Sequence, residues 1–167
     1  MKYKGKNLST EFFENMNLES EDFRGSNLQI CSFDNSNLRD AKLSYAKVAY
    51  ASFRNANLES ANIVGVNFTD SALQGANFSG AITKEGVIKS FIAREGDFFD
   101  WDGDYGWLAY KTKSGTYIQY ALLTKKISWW INSITSKNLE ESIEQCFVPS
   151  SYYKDGILLA IDKASKL

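Results

Sequence analysis

Large apolar side chains recur at every fifth position through the first half of the chain. The series runs Leu8, Phe13, Leu18, Phe23, Leu28, Phe33, Leu38, Leu43, Val48, Phe53, Leu58, Ile63, Phe68, Leu73 and Phe78, with no polar member. Two residues before each lies a second position, occupied from the fifth repeat on by Ser26, Cys31, Ser36, Ala41, Ala46, Ala51, Ala56, Ala61, Val66, Ser71, Ala76 and Ala81, nearly all small. The residue between the two is often Asn, as at Asn7, Asn17, Asn27, Asn37, Asn57, Asn62, Asn67 and Asn77. A five-residue period fits neither an α-helix, at about 3.6, nor a strand, at about 2. It predicts a chain that turns once per repeat.

The unit is plainest in Ala56-Asn57-Leu58-Glu59-Ser60 and Ala76-Asn77-Phe78-Ser79-Gly80. It resembles the Ala-(Asp/Asn)-Leu-x-x motif of the pentapeptide-repeat family over residues 6–81. The resemblance implies an all-β right-handed quadrilateral β-helix, with large and small residues both turned inward. Four repeats would close one coil, so inward side chains would stack at twenty-residue spacing in four columns. These are Leu8–Leu28–Val48–Phe68, Phe13–Phe33–Phe53–Leu73, Leu18–Leu38–Leu58–Phe78 and Phe23–Leu43–Ile63. Lys6, Glu11, Met16 and Glu21 stand where later repeats carry a small residue, which predicts a frayed or capped first coil.

The same spacing arranges the outward positions. Glu19, Arg39 and Glu59 alternate in sign up one face, and Asn17, Asn37, Asn57 and Asn77 stack on another. Surface ion pairs of this kind contribute at most about 1 kcal/mol each, and stacked amides hydrogen-bond along a ladder and at turns. Both columns are read as structural. Tyr45 and Tyr50 fall at outward positions near Val64 and Ile30. Solvent-facing aromatic and aliphatic groups together mark a contact patch. Incidental cover by the C-terminal module is the equal alternative.

The five-residue pattern stops at Ala81, and residues 82–167 read as a small α+β capping and interaction module. Val87 to Arg94 predicts a strand, and Tyr105–Thr112 with Thr116–Leu122 a hairpin around Lys113-Ser114-Gly115. Helical spacing follows at Ile127, Trp130, Ile131 and Ile134, and Asn138 with Glu141 forms a capping box. A final helix carries Tyr153, Ile157 and Ile161. An open solenoid end exposes apolar side chains and unpaired strand edges, so closing that end is the first role expected of this module. Trp129 and Trp130 are adjacent and would point about 100° apart on a helix. One of them is therefore expected to reach a partner, and a homodimer through residues 82–167 is the preferred arrangement.

Charge and composition narrow the function. The formal net charge is -1, with 8 basic and 9 acidic side chains in residues 1–81 and 11 of each in 82–167. This gives no global attraction to nucleic acid or to an anionic membrane. Histidine is absent, which excludes His-based triads and His metal ligands. Asp97, Asp100, Asp102 and Asp104 cluster, but the glycine offset does not fit an EF-hand loop, and a polar turn is the better reading. No cofactor, metal or catalytic residue is expected. Cys31 and Cys146 lie in different halves and read as buried thiols of a cytoplasmic chain. No apolar leader or membrane-spanning run is evident.

The reading is a non-enzymatic protein–protein interaction or recognition protein, with Tyr45, Tyr50, Trp129 and Trp130 as candidate contact residues. Two alternatives stand beside it. Some pentapeptide-repeat proteins mimic duplex DNA and modulate type II topoisomerases; the near-neutral charge argues against that here. The other is a bacteriophage or host-defence factor with a ligand or catalytic cleft in the C-terminal module.

Overall fold

The computed structural model describes residues 2–68, 71–93, 107–120, 123–126 and 165–167. From Asn7 onward the backbone returns to the same face every twenty residues. Parallel bridges between successive coils run from Asn7 to Asn27 and on to Lys47, and from Phe12 through Ser32 and Ser52 to Ala72. Others run from Asn17 through Asn37 and Asn57 to Asn77, and from Asp22 through Lys42 and Asn62 to Ile82. Four such columns make a four-sided coil of twenty residues per turn. Each bridge uses both backbone groups of the upper residue: Asn27 N–H donates to Lys6 O at 2.9 Å, and Asn27 O accepts from Leu8 N–H at 2.9 Å.

Every described corner is a turn of four residues. Glu11 N–H reaches back to Leu8 O at 3.1 Å, Ala41 to Leu38 O at 3.0 Å and Ala56 to Phe53 O at 3.0 Å. The third residue of each described turn, from Gly5 to Gly80, has positive φ, as a type II turn requires. The Asn before the large residue fixes the turn from outside. Oδ1 of Asn17, Asn37, Asn57 and Asn77 each accepts the N–H two residues on, at 3.0–3.3 Å. The amide nitrogens bond up the column: Asn37 Nδ2 to Asn17 Oδ1 at 3.0 Å and Asn77 Nδ2 to Asn57 Oδ1 at 3.1 Å. The Asn preference of the repeat thus satisfies backbone donors and links coils.

The inward columns follow the twenty-residue register. Phe13, Phe33 and Phe53 stack face to face, at 4.9 and 5.0 Å between centroids and within 9° of parallel. Phe23 meets Phe33 edge-on at 5.8 Å. Leu18, Leu28, Leu38, Leu43, Leu58, Phe68 and Phe78 are buried with them. Fully burying one such side chain contributes about 1.5–3 kcal/mol. The small positions fill the corners: Ala41, Ala51, Ala61 and Ala81 have no exposed surface, and the Ser26 and Ser36 hydroxyls donate to Phe23 O and Phe33 O.

Both ends carry features that the five-residue series from Leu8 to Phe78 leaves out. At the N-terminal end Tyr3 stacks on Phe23 at 4.6 Å and lies edge-on to Phe13 at 5.6 Å, with Lys2 Nζ 4.8 Å from its ring centre. Tyr3 thereby begins the fourth column. The first coil is regular rather than frayed, with Phe13, Leu18 and Phe23 all donating to the second coil at 2.7–2.8 Å. Lys6, Glu11 and Met16 are exposed there and Glu21 half-exposed. A coil covered on one side only leaves such side chains room to turn away from the core.

At the other end a short hairpin pairs β1 (Ile82–Thr83) with β2 (Gly86–Val87). Ile88 then returns to the core, donating to Ala81 O at 2.8 Å and accepting from Gly80 N–H at 3.0 Å. Beyond it, β3 (Ser90–Ala93), β4 (Trp107–Thr112), β5 (Gly115–Tyr120) and β6 (Leu123–Lys126) form an antiparallel sheet in that order. The β4–β5 turn falls at Lys113-Ser114, with Thr112 opposite Gly115. Phe91 packs edge-on against Phe78 at 5.6 Å. The sheet therefore meets the last ring of the column. The helices expected between residues 127 and 164 lie outside the described residues.

Candidate interaction surface

Left-handed backbone at the corners is met in most repeats by Gly, Asn, Ser or Asp. Gly has no Cβ to clash, and Asn and Asp reach this region more readily than other side chains. Four corners depart from that economy: Thr10, with φ 70°, and three that carry large apolar groups. Ile30 has φ 61°, Tyr45 60° and Tyr50 61°. For a β-branched or bulky residue this conformation is an outlier, costing about 1–2 kcal/mol. Burial does not offset the cost: these side chains are 59%, 70% and 54% exposed.

Ile30 and Tyr50 occupy the same corner in successive coils, and Ile30 N–H donates to Ala49 O beside Tyr50. Phe12 stands just past this corner one coil earlier and is 77% exposed. An apolar group thus projects near one corner in three consecutive coils. Such a ridge is convex, so its complement on a partner is a concave apolar surface.

Tyr45 lies on the preceding corner, between Gly25 and Gly65 in its column. Its ring rests on Gly65: a Cβ added there would lie 2.5 Å from Cδ1 and 2.7 Å from Cε1. Gly65 is the residue that lets the ring lie flat, and half-buried Val64 adjoins it.

Polar groups around the solenoid are tied up locally. Asp34 Oδ1 accepts from Arg54 N–H at 2.9 Å and from the Ser52 hydroxyl, which also accepts from the Arg54 guanidinium at 2.8 Å. Asp22 and Arg24 form a two-pronged pair at 2.9 and 2.7 Å. The guanidinium holds the Asp22 carboxyl well below the usual carboxylate range. Arg39 sits 3.5 Å from Asp40 and 4.0 Å from Glu59, whereas Glu19 accepts from Asn37 Nδ2 at 3.3 Å. The charge ladder expected from sequence is in place for its Arg39–Glu59 step. The Cys31 thiol is buried, contacts Leu8 O at 2.9 Å, and is pushed up to about 11 by burial. Its thiolate is therefore scarce at neutral pH.

Of the four candidate contact residues, Tyr45 and Tyr50 are in the described part, exposed and on neighbouring corners. Trp129 and Trp130 lie outside it, as do Asp97 to Asp104. Among the described residues no group of three or more His, Cys, Asp or Glu side chains is placed to hold a metal ion, and no helix is long and apolar enough to cross a membrane. Phe12 was missed by the sequence reading, although it breaks the polar pattern of the position before the inward residue.

Residues 6–86 match the family model of the pentapeptide repeat region. These residues are a pentapeptide-repeat region. Among solved structures the chain is similar to three pentapeptide-repeat proteins. Rfr23 from the cyanobacterium Cyanothece 51142 aligns at 27% identity and TM-score 0.44, over 52% of this chain and 55% of its own. A protein of the Arabidopsis thaliana thylakoid lumen aligns at 26% and 0.25, over 47% and 66%. HetL from Nostoc, described as involved in heterocyst differentiation regulation, aligns at 28% and 0.21, over 48% and 41%. The chain spans from 41% to 66% of the length of these relatives. No curated protein matches the sequence.

Proposed function

We propose that the pentapeptide-repeat domain is a non-enzymatic scaffold that recognises a protein partner through the apolar side chains of its corners. The observation that carries this reading is the placement of Ile30, Tyr45 and Tyr50 on left-handed backbone while more than half exposed. The fold alone favours Gly or Asn there. Bulky apolar residues at those corners take on backbone strain while staying more than half exposed, and strain of this kind is retained where function uses it. Large aromatic groups are also the commonest interface anchors.

The near balance of 8 basic and 9 acidic residues over 1–81 supports protein recognition over mimicry of duplex DNA. A homodimer through residues 82–167 belongs to the same reading, motivated by adjacent Trp129 and Trp130.

The test is affinity capture from the native host with the full chain, compared with Phe12→Ala/Tyr50→Asn and Tyr45→Asn. A specific protein retained by the parent and lost from either variant, with circular dichroism unchanged, supports the reading. Equal capture by all three would refute it.

A further inference from the structure

A second apolar surface lies at the junction between solenoid and sheet. Ile82 continues the outward column of Asp22, Lys42 and Asn62, and β1–β2 pairing sets Val87 directly beside it. Both are exposed. In a hairpin, partners at the same register share a face, and Thr83, turned the other way, is buried. On this side of the solenoid, one coil earlier, stand Val64 and the Tyr45 ring on Gly65. Tyr45 N–H donates to Val64 O at 2.9 Å and Ile63 N–H to Ile82 O at 2.9 Å, so the three levels are bonded in turn.

Among the described residues, the charge around this patch is mostly positive. The charged side chains described between residues 82 and 116 are Lys84, Glu85, Lys89, Lys111 and Lys113. All four lysines are exposed. The elements that carry them are bound together: Ser114 Oγ donates to Glu85 O at 2.7 Å, and Lys89 N–H donates to Lys111 O at 2.7 Å. Lower in the same column, Asp22 is held by Arg24.

We propose that this patch binds an acidic, apolar segment of a partner protein, with its aliphatic or aromatic side chains on Tyr45, Ile82 and Val87 and its carboxylates toward Lys84, Lys89 and Lys113. A second copy of the same surface is disfavoured, because it would bring lysines against lysines. This inference rests on the recognition reading above and names the chemistry of one partner surface. The contacts are exposed, so their electrostatic part is screened over about 8 Å at physiological salt and weakens as salt rises.

The probe is a fluorescein-labelled synthetic peptide alternating Glu with Phe and Leu, titrated with the full chain and read by anisotropy. A peptide with Gln in place of every Glu is the control, and vesicles containing phosphatidylserine are a competing arm. The acidic peptide should bind at least tenfold tighter than the Gln peptide at low salt, with the difference shrinking as salt rises. Lys84→Glu with Lys89→Glu should weaken it about tenfold or more, and Val87→Asn should weaken both peptides. Phe12→Ala/Tyr50→Asn should leave peptide binding unchanged, which separates this inference from the host-capture test. Equal affinity for the two peptides, or no effect of the lysine exchanges, overturns the inference while leaving the recognition reading standing. Displacement of the peptide by the vesicles, abolished by the same lysine exchanges, overturns it in favour of a membrane surface.

Discussion

Replacing Phe33 by alanine isolates the central term of the fold. Phe33 has no exposed surface and stacks between Phe13 and Phe53 at 4.9 and 5.0 Å, with Phe23 at its edge. A Phe→Ala change in a packed core costs about 3–5 kcal/mol. With three ring neighbours, each pair adding about 0.5–1.5 kcal/mol beyond area, the upper half of that range applies. Total stabilities are only about 5–15 kcal/mol. Urea unfolding followed by far-ultraviolet circular dichroism should therefore move its midpoint down by at least about 1 M for an m-value of about 1–3 kcal/mol/M. Two controls sharpen the result. Phe33→Leu should cost clearly less than Phe33→Ala, because Leu73 already fills the same column. Phe12→Ala should stay within about 0.5 kcal/mol, since Phe12 faces solvent. A stacked array can lose cooperativity and unfold in parts, so the slope must be compared as well as the midpoint. A Phe33→Ala cost below about 1 kcal/mol at unchanged slope, or a cost equal to that of Phe12→Ala, would refute the stacked core.

Tyr50→Asn relieves about 1–2 kcal/mol of left-handed strain against the loss of a partly covered ring, so thermal stability should hold or rise; a clear fall in the melting temperature counts against the strain argument. Cys31 should react slowly with Ellman's reagent in the native state and fully in urea. Because burial raises its folded pKa from 9.0 to about 11, its contribution to stability is complete below pH 9 and is lost as pH rises toward 11; a Cys31→Ala variant should lack that alkaline decline in equilibrium unfolding. Supercoiling assays should show weak or absent protection of DNA gyrase from quinolones, and protection at stoichiometric protein would restore the DNA-mimic reading. Sedimentation equilibrium at tens of micromolar should give a dimer that Trp129→Ala with Trp130→Ala dissociates; a monomeric parent would remove the homodimer.

The solenoid was legible because its side chains obey a single rule. One apolar residue in five fixes which rings meet, and Phe13, Phe33 and Phe53 stack where the spacing put them. Tyr3 was hidden in a polar leader, although it lies five residues before Leu8 and obeys the same rule. Lys6, Glu11 and Met16 misled in the other direction. They look disruptive in sequence, yet an end coil tolerates them because their side chains turn outward. The turn at Lys113-Ser114-Gly115 was readable from its residues. The fourth strand, Leu123–Lys126, was not, since Leu-Thr-Lys-Lys carries no strong strand alternation. Tyr45 and Tyr50 were legible as outward residues, but their left-handed backbone and the seat that Gly65 gives Tyr45 are three-dimensional facts. The Ile82–Val87 pair was not legible, because it depends on a hairpin that forms where the repeat ends.

The twenty-residue coil also acts as an angular ruler. Inserting one five-residue repeat before Tyr45 would turn everything after it by a quarter, carrying Tyr45, Ile82 and Val87 to a different side from the residues before the insertion. Duplicating a whole coil, such as residues 22–41, would instead raise them by one strand spacing, about 4.8 Å, and keep their side. Length changes in this molecule are therefore equivalent only modulo twenty. Relatives that differ by whole coils can share a binding side, whereas those that differ by single repeats must reassemble theirs from other positions.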